Sequence, residues 1–168
     1  MSSTQPSLQI RAATENDVPQ ILQLIRELAE FEQLSHEVTA DERALHAHLF
    51  GPHPYAQVLM ADIDGQAVGF ALFFHNYSTF LGKPGIYLED LYVRTAWRGH
   101  GVGKALQEAV RQLAVARGCG RYEWSVLNWN RRAIDFYEKM GAQPMSEWTL
   151  YRLSGAALNQ PDMNMARE

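Results

Sequence analysis

The sequence predicts a mixed α/β domain in which about four helices flank one mostly antiparallel sheet. Three observations support this class. Apolar residues recur at helical spacing in four segments, short runs rich in β-branched and aromatic residues lie between them, and a glycine-dense loop joins one strand directly to a helix. The elements follow the order β-α-α-β-β-β-α-β-α-β, so strands and helices interleave. A length of 168 residues suits a single domain spanning 1–168.

The first third of the chain reads as one strand and two helices. Residues 8–11 form the strand, and residues 14–17 resemble a helix cap with Pro19 in the first turn. Apolar residues then recur at helical spacing to about Gln33. The run Thr39-Ala40-Asp41-Glu42 has the pattern of a capping box and predicts a second, shorter helix before Gly51-Pro52.

The remaining elements are assigned from the same signals. Asp64-Gly65 predicts a hairpin turn, Gly118 and Gly141 predict helix ends, and Asn130 predicts a helix cap. The predicted strands are 57–62, 67–75, 86–93, 121–127 and 146–153; the predicted helices run from 102 to Gly118 and from 131 to 140; residues 76–85 are expected to form a loop.

A glycine loop is the strongest chemical signal in the sequence. It reads Arg98-Gly99-His100-Gly101-Val102-Gly103 and lies between the strand 86–93 and a helix, where backbone N–H groups can face a phosphate. The dinucleotide pattern G-x-G-x-x-G does not fit glycines at alternate positions. The Walker A pattern also fails, because Arg98 stands where its first glycine should be and Ala105 follows Lys104.

Composition and charge narrow the class of function. The net charge of −4 argues against nucleic acid and favours a cationic small substrate. There is no apolar run long enough to span a membrane and no signal-like start, and the single cysteine, Cys119, suits a reducing cytosol. His46, His48 and His53 lack the further ligands of a metal site. Only residues 1–7 and about 159–168 look like polar tails.

Four stretches carry a resemblance to a known family. They are residues 25–32, 87–93, 98–103 and 128–137, which read IRELAEFE, YLEDLYV, RGHGVG and NWNRRAIDFY. Together with the element order, they resemble the GCN5-related N-acetyltransferase superfamily, most closely the spermidine/spermine and thialysine N-acetyltransferases. The resemblance implies acetyl-CoA as co-substrate, no metal, a small amine as the other substrate, and a cytoplasmic homodimer. Ser78 stands where the polyamine enzymes have an acidic substrate contact, which favours the thialysine branch.

The resemblance also assigns two catalytic residues. An alkylammonium has a pKa of ~10.4, so a base must remove its proton at neutral pH. Glu89 is the implied base, acting through water, and Tyr137 is the implied acid that protonates the departing thiolate. Asp90 would point to the opposite face of a regular strand, so only one of the two adjacent acids is expected to face the cleft easily.

Further site residues follow from the same family positions. The expected cofactor contacts are Leu91, Tyr92, Val93, Arg98, Gly99, His100, Gly101, Val102, Gly103, Lys104, Asn130, Ala133 and Tyr137. The expected substrate contacts are Phe31, Glu32, Ser78, Glu89, Asp90, Glu123, Trp124, Ser125 and Glu147. Acidic and aromatic groups suit a cationic amine.

Several interpretations stay open at this point. The acceptor could be a polyamine or a protein lysine instead of a small amino acid. The chain could also be a non-catalytic module that binds acyl-CoA. Glu89 could be an ordinary ion-pair partner, Glu32 a solvated helix end, and Tyr137 a packing residue.

Overall fold

The computed structural model describes residues 7–159. The predicted polar tails therefore lie outside the described residues, apart from Ser7 and Asn159. The chain forms two compact units, Met1–Ser125 and Val126–Glu168. The larger unit contains the whole sheet and three helices, so most of the predicted cofactor and substrate residues lie within it.

The larger unit is built on a five-stranded sheet with the order β1-β2-β3-β4-β5. Neighbouring strands are antiparallel except for the parallel pair β4 and β5. The predicted mixed, mostly antiparallel sheet is confirmed. The strands are β1 Leu8–Ala12, β2 Gln57–Ile63, β3 Gln66–Ser78, β4 Lys83–Val93 and β5 Arg121–Trp124. The helices are α1 Val18–Phe31, α2 Glu42–Phe50 and α3 Val102–Ala116, followed in the second unit by α4 Arg131–Lys139 and α5 Gly155–Leu158.

Apolar side chains cover the sheet on both faces. On the α3 face, Leu88 and Ile86 pack in a buried cluster with Leu106 of the helix. On the α1–α2 face, a second cluster contains Ile21 of α1 and Tyr92 of β4. Strand side chains alternate between the faces, and this alternation decides which residues of β4 can reach each side.

An ion pair fixes α1 against β4. Arg94 follows β4 directly, and its Nε and Nη2 donate to the two carboxylate oxygens of Glu27, each at 3.1 Å. Its Nη1 also donates to the Ala67 carbonyl oxygen at 2.9 Å. This bidentate geometry restrains the last turn of α1, which ends at Phe31 and is capped by Glu32.

Three predictions about local structure are wrong. Asp41, not Thr39, caps α2, because its carboxylate accepts the Ala44 N–H at 2.7 Å. Most of the predicted loop 76–85 is strand, since the β3–β4 ladder continues to the pair Ser78 and Lys83. The predicted strand 146–153 is irregular, and in the described part of the second unit no strand pairs with it. A strand needs a neighbour for its backbone hydrogen bonds, and sequence pattern alone does not supply one.

Arg11 of β1 forms ion pairs with two carboxylates. Its Nε donates to Asp62 Oδ2 at 2.6 Å, and its Nη1 and Nη2 donate to Asp17 at 2.7 and 2.8 Å. These bonds lower the pKa of Asp17 to about 2. Asp62 is buried at 8% exposure, so removing Arg11 would leave a buried carboxylate without its ion-pair partner.

Replacing Arg11 by methionine is therefore expected to lower the free energy of unfolding at pH 7 by about 2–4 kcal/mol. The loss should shrink as the pH falls from about 4 towards 2, because a depressed carboxyl pKa contributes stability only above that window. Urea denaturation at pH 7 and pH 3 measures both effects. Arg111→Met is the control, since its ion pair with Glu108 is exposed to solvent and should contribute little to stability. Equal losses in the two variants would contradict this account.

Candidate active site

The glycine loop places free backbone donors at the start of α3. Gly99 and Gly101 both have φ of 82°, and a Cβ added to either would meet no atom within 4 Å. Gly101 caps the helix, and the Ala105 N–H is bonded to its carbonyl oxygen at 3.0 Å. The N–H groups of Val102, Gly103 and Lys104 precede the first such bond. Helix N-termini of this kind bind phosphate through these groups and the helix dipole.

Next to the loop, β4 has an open edge at residues 91–93, where no strand among residues 7–159 pairs with it on the β5 side. The parallel pairing with β5 runs only from Gly85 to Leu88 of β4, and β5 ends at Trp124. The Arg94 N–H donates to Val68 of β3, and backbone groups alternate in direction along a strand. The N–H groups of Leu91 and Val93 therefore face away from β3, while Tyr92 pairs with it. This edge can accept an extended, amide-containing chain.

The side chain of Arg98 is directed towards α1. Its guanidinium lies over the Phe31 ring at 4.4 Å from the centroid and 5.5 Å from that of Tyr92. Its Nε donates to the Val93 carbonyl oxygen at 3.0 Å. The backbone carbonyl of Arg98 lies 3.1 Å from Nδ1 of His100. Arg98 thus connects the glycine loop, the open edge of β4 and the predicted substrate residue Phe31.

A β-bulge interrupts β4 at its two acids. Leu72 of β3 pairs with Asp90, whereas the next residue, Phe73, pairs with Leu88, so Glu89 is the extra residue. The prediction that Asp90 points to the opposite face assumed a regular strand, and that assumption is wrong. Leu88 and Leu91 both pack on the α3 face, and the bulge accommodates this spacing of three. We call Glu89 and Asp90 the acidic bulge.

The acidic bulge has an unusual electrostatic environment. Glu89 is exposed and Asp90 is half-buried. Burial, followed by repulsion from Glu89 and then from Glu32 of α1, raises the pKa of Asp90 to about 7. Burial also raises the pKa of Glu32. The end of α1 and the bulge of β4 thus bring three carboxyl groups together.

The other predicted substrate residues of the larger unit are already in contact with protein groups. Ser78 is buried, and its Oγ accepts the Leu81 N–H at 3.3 Å. Glu123 accepts from Asn76 Nδ2 at 3.0 Å and pairs with Arg121 at 2.8 Å. Trp124 packs on the α3 face, and Ser125 Oγ lies 2.6 Å from the Tyr87 hydroxyl.

The second unit contains the remaining predicted residues. Asn130 caps α4, and its side chain accepts the Ala133 N–H at 3.3 Å, so these two predicted cofactor residues are bonded to each other. Tyr137 lies on the same helix, with its ring 5.7 Å from that of Phe136. Glu147 is exposed within the irregular segment after α4.

The sequence matches the Acetyltransferase (GNAT) family over residues 19–142. It is 41% identical to a thialysine N-epsilon-acetyltransferase from Bos taurus, over 90% of this chain and 95% of that protein. The chain belongs to the GNAT family. It is also 37% identical to the L-ornithine N5-acetyltransferase NATA1 of Arabidopsis thaliana, over 91% of this chain and 87% of that protein.

The fold is also found in solved structures of acetyltransferases. An aminoglycoside acetyltransferase from an uncultured soil metagenomic sample superposes with a TM-score of 0.73 at 26% identity, covering 88% of this chain and 97% of that one. The predicted N-acetyltransferase activity on an amine is confirmed at the level of the family, and the family uses acetyl-CoA. This GNAT chain fits that co-substrate, since the backbone N–H groups that can bind a phosphate at the start of α3 adjoin the open edge of β4.

The described residues contain neither a cluster of metal ligands nor a membrane-spanning helix. Among residues 7–159, no group of three or more His, Cys, Asp or Glu residues could hold a metal ion. Within the same range, no helix is long and apolar enough to cross a membrane.

Two features of the GNAT site were missed by sequence reasoning. One is the bulge, although the spacing of three between Leu88 and Leu91 breaks the period of two and is a usable signal. The other is the pair formed by Glu27 and Arg94, which are 67 residues apart. No local pattern connects two residues at that separation.

Proposed function

We propose that this GNAT enzyme transfers the acetyl group of acetyl-CoA to the terminal side-chain amine of a small amino acid of the thialysine or ornithine type. One observation carries the proposal. The same strand, β4, leads into a phosphate-binding loop and carries the acidic bulge, so a site for an anionic co-substrate adjoins a site for a cationic amine. Two relatives whose names specify side-chain amines of amino acids support this choice of acceptor.

Each group of residues has a proposed role. The glycine loop from Arg98 to Lys104 and the N–H groups of Leu91 and Val93 hold acetyl-CoA, with Asn130 and Ala133 as further contacts. When bound, acetyl-CoA supplies the thioester whose acetyl group is transferred. Phe31 and Glu32 bind the substrate ammonium, Glu89 takes its proton, and Tyr137 protonates the departing sulfur. The transfer is direct, with both substrates bound and no acetylated enzyme.

The experiment is CoA release from acetyl-CoA with thialysine, lysine, ornithine, putrescine, spermidine and spermine. Thialysine and ornithine are expected to give the highest kcat/KM. Tyr137→Phe should lower kcat by ~10²–10⁴-fold because a phenyl ring cannot donate a proton. Tyr151→Phe is the matched control, since Tyr151 is 90% exposed and has no proposed role.

Three outcomes would contradict the proposal in different ways. If every amine is inert while acetyl-CoA still binds, the small-amine acceptor is wrong. If Tyr137→Phe retains the kcat of the unaltered enzyme, Tyr137 is not the acid. A preference for spermidine over thialysine would assign the chain to the polyamine branch.

We also propose that the enzyme is a single catalytic domain that acts as a cytoplasmic homodimer. The family resemblance supports the dimer, and the family match over 19–142 supports one domain because it extends across both compact units. Sedimentation velocity tests the dimer, with a species of twice the 19.1 kDa chain mass as the expected result.

A further inference from the structure

The register of β4 determines where the two acids of the bulge lie. Asp90 pairs with Leu72, which packs against the cluster on the α1–α2 face, and Tyr92, two residues further along, is buried in that cluster. Asp90 therefore lies on the α1–α2 face, beside the end of α1. Glu89 is the extra residue of the bulge and is exposed. The pair thus has an outer and an inner carboxylate.

The charges around Asp90 oppose its ionisation. Glu89 on β4 and Glu32 on α1 both repel a negative charge there. The arginines of this region have other partners. Arg94 is bound to Glu27, and Arg98 lies over Phe31 and donates to a carbonyl. The residue opposite on β3 is the apolar Leu72, so β3 supplies no charge at that position.

We propose that Asp90 is the residue that holds the substrate's proton during acetyl transfer, with Glu89 passing that proton inward from the amine. The inference rests on the proposed function and adds a second carboxylate to it. A proton is better placed on the inner carboxyl, because burial and two neighbouring acids penalise its ionised form. The resulting pKa of about 7 is matched to a base that works at neutral pH.

The proton balance of the reaction is then complete. The ammonium loses one proton through Glu89 to Asp90, and the lone pair of the neutral nitrogen forms the bond to the acetyl carbon. The carbon–sulfur bond breaks, and the sulfur takes a proton from Tyr137. The nitrogen loses a second proton, which restores Tyr137, and the proton on Asp90 passes to solvent. One proton is released for each amide formed.

The test is the pH dependence of kcat/KM between pH 5.5 and 9 with thialysine, for the unaltered enzyme, Asp90→Asn and Glu89→Gln. For the unaltered enzyme, kcat/KM is expected to fall as the pH drops below about 7, where Asp90 is protonated. We call this fall the acidic limb of the pH profile. Asp90→Asn should lower kcat/KM by ~10²–10⁴-fold and abolish this acidic limb. Glu89→Gln should lower kcat/KM but retain the acidic limb. Asp64→Asn, an exposed aspartate in the β2–β3 turn, is the control.

A second variant keeps the test decisive if Asp90→Asn folds poorly. Glu32→Gln removes one of the two repelling charges, so the acidic limb should move to lower pH without disappearing. An acidic limb that is unchanged in a folded Asp90→Asn variant, or unchanged in Glu32→Gln, would overturn the inference while leaving the acetyltransferase proposal intact. Inactivity of the unaltered enzyme with every amine would overturn the proposed function, and the role of Asp90 with it.

Discussion

Gly101→Ala is expected to weaken acetyl-CoA binding by about 10- to 100-fold. Gly101 has φ of 82°, a conformation that costs an alanine roughly 1–2 kcal/mol. To relieve this strain the loop backbone would rotate, and the N–H groups at the start of α3 would no longer point towards the phosphate. Each hydrogen bond to a charged group is worth about 1.5–3 kcal/mol, which sets the expected loss. Isothermal titration with acetyl-CoA measures it.

A second glycine offers a matched control for this prediction. Gly65 has φ of 79° in the β2–β3 turn, and a Cβ there would also meet nothing within 4 Å. Gly65→Ala should therefore cost similar stability but leave the dissociation constant for acetyl-CoA within about twofold. Equal affinity losses in the two variants would show that the effect comes from general destabilisation and not from the phosphate loop.

Asp90→Asn is expected to stabilise the fold above neutral pH while it impairs catalysis. The pKa of Asp90 is raised from 3.8 to about 7, so between these values the folded chain holds a proton that the unfolded chain has lost. Stability therefore falls as the pH rises through this window, and the full cost applies above it. At ~1.36 kcal/mol per pKa unit, the variant should gain about 2–4 kcal/mol of unfolding free energy at pH 8.

The same comparison at low pH separates this charge effect from a packing effect. At pH 4 Asp90 is protonated in the folded chain, so the variant and the unaltered protein should have nearly equal free energies of unfolding. Urea denaturation at pH 4 and pH 8 gives both values. A difference of the same size at the two pH values would contradict the raised pKa, and Asp64→Asn should show little change at either.

Local sequence signals predicted the backbone conformation around the glycine loop well. The alternate glycines, the apolar periodicity of α3 and the strand before them are contiguous in the chain, and the structure places them as expected, with α3 beginning at Val102 after a left-handed Gly101. Asn130 likewise caps α4 as predicted. These features depend on backbone geometry within a few residues, which sequence specifies directly.

The surroundings of the acidic bulge depend on pairing between distant segments, and the sequence predicted them less completely. The face on which Asp90 lies follows from its register with β3, which only the assembled ladder defines. The burial of Ser78 follows from the extra length of the β3–β4 hairpin. The predicted strand 146–153 has the composition of a strand, but its backbone finds no ladder partner in the described part of its unit. Amino-acid composition indicates strand propensity, but a strand forms only where its backbone pairs with a neighbouring strand.

The most direct test of the central claim is the site of acetylation on the product. Thialysine and ornithine are each incubated with acetyl-CoA and the enzyme, and the product is fragmented in a mass spectrometer. The account predicts one acetyl group, on the side-chain nitrogen, with one CoA released for each product molecule. An acetyl group on the α-nitrogen, or CoA release without an acetylated amine, would contradict it.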